Sequence, residues 1–96
     1  MFKRIAPQRA QNTSGCIVQV GSRDSIQYLD NDTTAEVEAD LLCQIVPIYY
    51  ETLTLRKAGG IAQSPSMQQR ELIINQIKCG LDCLGIRYEM TPPSNP

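Results

Sequence analysis

Pro47 falls in the middle of the longest stretch with helical patterning in this chain, and any fold has to accommodate it. Inside a helix, proline forfeits one backbone hydrogen bond and clashes with the preceding turn, at a cost of about 3 kcal/mol. Ile48–Leu55 is also rich in strand formers, which argues for a strand after the proline. The helical wheel argues the other way. Leu42, Ile45, Val46, Tyr49 and Leu53 share one arc of roughly 100°, and Glu36, Asp40, Gln44, Pro47, Glu51 and Thr54 share the opposite side. A proline on the wet side is accommodated by bending the helix around its core. Thr33 with Glu36 fits a capping box, and the acids after it suit the positive end of a helix. The pattern therefore predicts one helix over about 34–57, bent at Pro47 and stopped by Gly59-Gly60.

Two β-prone runs precede it, Cys16–Val20 and Ile26–Leu29, joined by the turn chemistry of Gly21–Ser25, and they predict a hairpin. Ser64 as cap and Pro65 at the first helical position predict a second helix ending near Leu84, with Gly85 after it. Ile86–Met90 alternates as a short C-terminal strand. The expectation is an α+β fold: an N-terminal hairpin, two antiparallel helices and a small antiparallel or mixed sheet. Residues 1–15, basic and broken by Pro7 and Gly15, read as a flexible arm. Residues 16–90 then form a single domain, and 91–96 a proline-rich tail.

Charge is sorted along the chain. Lys3, Arg4, Arg9 and Arg23 give the first 23 residues +4 with no acid, whereas Asp24, Asp30, Asp32, Glu36, Glu38, Asp40 and Glu51 give the middle −7 with no base. Five bases against three acids leave residues 56–96 at +2, so the overall −1 conceals a basic start and an acidic middle. Such a chain is able to dock start to middle, within a molecule or between copies, which points to assembly rather than catalysis. Lys3, Arg4 and Arg9 on one side, with Glu36, Asp40 and Glu51 on the other, are the candidate partner-binding residues.

The second helix carries two apolar sides. Ile73, Ile74, Ile77, Leu81 and Leu84 form a core stripe, and Leu72, Cys79 and Cys83 form a thinner second one. A helix with so little wet surface is sandwiched, by its own fold or by a neighbour, so Leu72, Cys79 and Cys83 join the candidate contact residues. Cys79 and Cys83, one turn apart, also have the spacing of a shared metal or redox pair. A zinc site would need two further ligands, and Cys16 and Cys43 are the only other cysteines. The simpler reading treats all four as small buried hydrophobes.

The chain has no histidine, which excludes Ser-His-Asp and Cys-His nucleophile systems in their usual form. Gly59-Gly60 lacks the spacing of a phosphate loop. No apolar run approaches the roughly 18–20 residues that span a bilayer, and the N-terminus lacks the core of a secretory signal, so a cytoplasmic or virion setting is expected. The function expected is a non-enzymatic protein-interaction or assembly module, without cofactor, whose partner is a copy of itself or a larger complex. A nucleic-acid-binding regulator using the basic arm is the alternative, and a thiol or metal protein using Cys79 and Cys83 a further one.

Overall fold

The computed structural model describes residues 2–20, 24–30, 33–57 and 62–91. They form eight strands and one helix: β1 (Lys3–Ala6), β2 (Arg9–Gln11), β3 (Ile17–Gln19), β4 (Ser25–Asp30), β5 (Thr33–Ala39), β6 (Val46–Lys57), β7 (Ala62–Gln63), α1 (Met67–Cys83) and β8 (Tyr88–Thr91). The sheet runs β1 to β7 in sequence order as an antiparallel meander, and β8 joins it by lying parallel to the first residues of β6. The fold is thus mostly β with one helix, not two helices against a small sheet.

The bent helix is the central correction. Its first half is β5, where Ala35, Val37 and Ala39 point inward and alternate with exposed Glu36 and Glu38, the period of two that a half-buried strand requires. Thr33, read as a helix cap, instead pairs with Asp30 and Lys57 in the ladder. Pro47 fits because of where the ladder ends. Asp40 N–H donates to the Pro47 carbonyl at 3.2 Å, and the return bond is the one a proline cannot make. Pairing stops there, and Leu41–Ile45 turn away as a loop whose start is held by Asp40 Oδ1, accepting from the Leu42 N–H at 3.2 Å.

Farther along β6 the register jumps. Glu36 faces Thr54 and Glu38 faces Tyr49, so Val37 alone opposes Tyr50–Leu53. The Thr52 hydroxyl fills this wide bulge, accepting from the Glu38 N–H at 2.8 Å and donating to the Tyr49 carbonyl at 2.6 Å.

The segment read as an arm is part of the sheet: β1 and β2 form a hairpin, and β2 pairs with β3 in turn. Arg4 Nη2 reaches the Leu84 carbonyl at 2.9 Å, so the first strand holds the end of α1, where a cation suits the negative pole. Thr91, read as the first residue of the tail, belongs to β8; residues 92–96 lie outside the described residues, as do 21–23 of the expected turn and the glycines at 59–60.

α1 starts later than expected. Ser66, not Ser64, is the cap, its hydroxyl accepting from the Gln69 N–H at 3.2 Å while Gln69 Oε1 accepts from the Ser66 N–H at 3.0 Å. Pro65 precedes the cap and is buried. The helix ends in a complete Schellman motif: Gly85 N–H donates to Asp82, Ile86 N–H to Leu81, and Gly85 has φ +74°. One side of α1 then covers one face of the sheet. Ile77 and Leu81 from the helix and Val18, Ile26, Val37 and Ile48 from the strands are the largest fully buried side chains, each contributing about 1.5–3 kcal/mol by burial. Gly80 lets the helix approach closely, because a Cβ there would meet Val18.

Candidate functional site

The strongest candidate is the end of the sheet around the loop between β5 and β6. Pro47 ends the ladder, so Leu41–Ile45 project beyond it, and Leu42 is 76% and Ile45 48% exposed. Beside them lies an open groove of about 680 Å³ lined by Val20, Leu41, Leu42, Val46, Ile86 and Arg87, among others. Gln8, Gln44 and Arg87 share its walls with these apolar residues, and projecting apolar side chains next to such a mixed groove make a surface suited to protein contact. Cys43 on the same loop is exposed and hydrogen-bonded to Asp40, which pushes its thiol pKa up.

The residues singled out from the sequence are spread over several surfaces. Lys3 is exposed on β1, Arg4 holds the end of α1, and Arg9 lies on the uncovered face of the sheet. There Arg9 donates from Nε and Nη2 to Gln19 Oε1 at 3.1 and 2.6 Å. Glu36 lies in the same cross-strand row, Arg9–Gln19–Gln27–Glu36–Thr54, and accepts from Gln27 Nε2 at 3.5 Å and from Ser25 Oγ at 3.2 Å. A base from the start and an acid from the middle therefore share one row of the sheet, each hydrogen-bonded to its own glutamine, Gln19 and Gln27, which are register partners. Asp40 shapes the β5–β6 loop, and Glu51 is exposed in the β6 bulge, away from that row.

Leu72, Cys79 and Cys83 do share a side of α1, away from its core stripe. Leu72 is 63% exposed, Cys79 is exposed and Cys83 half-buried, and both thiols line an open cleft with Phe2, Asn12, Gln76 and Asp82. Among the described residues no group of three or more Cys, Asp or Glu is placed to hold a metal ion. Cys16 is apart from them and buried, with its sulfur accepting from the Tyr28 hydroxyl at 3.2 Å. Burial, and then that hydrogen bond, push the Tyr28 phenol pKa well above its ordinary value.

Two surfaces went unread in the sequence: the Leu42–Ile45 tip, which the wheel assigned to a helical core, and a cleft beside Arg70. The signal for the tip was the alternation of Ala35, Val37 and Ala39, which makes the segment before Asp40 a strand and the segment after it a loop. Among the described residues no helix is long and apolar enough to cross a membrane. Comparison with protein-family models, curated proteins and solved structures finds no match to this chain.

Proposed function

We propose that this protein is a non-enzymatic assembly module that associates with copies of itself through the β5–β6 loop end of its sheet. The observation that supports this is the projection of Leu42 and Ile45 next to an open groove walled by Leu41, Val20 and Ile86. A knob adjoining its own hole is self-complementary: across a twofold axis, each copy's Leu42 enters the groove of the other. Burying two such side chains per copy removes the apolar surface that a lone chain leaves in water. The arm-based reading, whether for nucleic acid or for docking on the acidic middle, has less support. Arg4 and Arg9 are held by hydrogen bonds within the fold, and phosphate binding would have to compete with these.

A photo-crosslinking amino acid in place of Leu42 tests the reading. It gives chain-to-chain crosslinks in the purified protein, whereas the same group in place of Glu36, on the uncovered sheet face, does not. Equal crosslinking at both positions, or none at 42, contradicts it.

A further inference from the structure

A second cleft, of about 490 Å³, opens between α1 and the strands β6 and β8, and its walls include Tyr50, Met67, Arg70, Ile74, Lys78 and Met90. Arg70 is unusual there: its Nε is buried and, among the described residues, has no hydrogen-bond partner. Buried side-chain donors are nearly always paired, and a guanidinium keeps its charge at every physiological pH. The cleft thus holds a fixed positive charge with a donor unused. Met67 is 77% exposed and Met90 half-buried, which gives the walls the adaptable apolar character of a peptide-contact surface.

We infer that this cleft binds a segment of a partner protein in which two acidic residues flank an apolar one. Arg70 and Lys78 lie eight residues apart along one side of α1, about 12 Å at the helical rise. An extended chain covers that distance in about four residues, at roughly 3.3 Å each. One carboxylate of such a segment takes the Arg70 fork, with Nε and a terminal nitrogen donating together once the side chain turns toward it. The other carboxylate meets Lys78. Ile74 lies midway between the two cations, one turn from each, and leaves the middle position to an apolar side chain among Tyr50, Met67 and Met90.

This inference does not rest on self-association through Leu42, and its test separates the two. The full chain is titrated with the blocked peptide Glu-Ser-Leu-Ser-Glu and with its Gln-Ser-Leu-Ser-Gln analogue while the methionine methyl and arginine Nε–H signals are followed by NMR. The acidic peptide shifts Met67, Met90 and the Arg70 Nε–H saturably. The neutral peptide binds about tenfold more weakly or worse, as do Arg70→Met and Lys78→Met chains with the acidic peptide, and added salt weakens the acidic peptide alone. The Leu42→Asp chain binds it as the parent does. Equal binding of both peptides, unchanged binding by Arg70→Met, no saturable shift, or equal binding of free acetate each overturns the inference, and the peptide comparison on the parent chain needs no variant to fold.

Discussion

A Cβ built on Gly80 would lie 2.5 Å from the Cβ of Val18 and 2.6 Å from its Cγ2, so α1 crosses β3 at the closest approach glycine permits. In an exposed helix, Gly→Ala stabilises by about 1 kcal/mol through helix propensity. Here the overpacking of about 1–3 kcal/mol outweighs that gain. Gly80→Ala is expected to lower the denaturant midpoint, while Asn75→Ala, exposed on the same helix, leaves it unchanged or raises it. A stabilised Gly80→Ala chain would place the helix elsewhere.

The Thr52 hydroxyl closes the β6 bulge by serving Glu38 and Tyr49 at once. Thr52→Val keeps the shape and removes the partner of the Glu38 N–H, with an expected loss of about 0.5–1.5 kcal/mol. Thr52→Ser retains both bonds and is expected to stay within about 0.5 kcal/mol of the parent. Urea melts of the three chains compare them directly, and equal midpoints for Val and Ser would show the hydroxyl to be idle.

Arg4 anchors the first strand to the carbonyl of Leu84, the residue that caps the end of α1. Arg4→Met preserves much of the side-chain stem and removes the donor, with an expected cost of about 0.5–1 kcal/mol. Amide exchange is expected to quicken at Gly85 and Ile86, which close the helix, before it changes at Ile77. Uniform acceleration at all three positions would instead indicate global loosening.

Tyr28 supplies a pH dependence. Its folded pKa is raised by burial and by its bond to Cys16, above the value of about 10 it has when unfolded. Its contribution to stability is therefore complete below pH about 10 and is lost as pH rises from there toward the folded pKa. Tyr88, raised by its own partial burial and then by the charge of Asp82, adds to the same alkaline loss. Denaturant midpoints measured from pH 8 to 11 should fall less steeply above pH 10 in Tyr28→Phe than in the parent. Parallel curves would show that the phenol is not buried in its neutral form.

The chain from α1 onward was legible. The stripe Ile73, Ile74, Ile77, Leu81 and Leu84 is the buried side of α1, and Gly85 sits at its end with the positive φ that only glycine adopts freely. Residues 34–57 were misread for a specific reason. The bulge opposite Val37 puts the inward positions of β6 at Val46, Ile48, Leu53 and Leu55, so pairs of them stand seven residues apart. Seven residues is also two helical turns, and the wheel cannot distinguish the two origins of that spacing. The period of two in Ala35, Val37 and Ala39 carried the better information. The tip was missed through the same misreading, since Leu42 and Ile45 lie on the core side of a helix but on the loop that Pro47 leaves outside the ladder. Arg9 and Arg4 were hidden for another reason: their partners, Gln19 and the Leu84 carbonyl, are set by strand pairing and tertiary contact that no local pattern reports.

Self-association through the β5–β6 loop is tested most directly by light scattering on the size-separated protein, parent against Leu42→Asp/Ile45→Asp. Both positions are exposed in the single chain, so the double variant is expected to keep the parent's circular dichroism. The expected result is a parent with at least the mass of two chains and a double variant with the mass of one. A parent that stays a single chain at high micromolar concentration, or a double variant that assembles as the parent does, would contradict it.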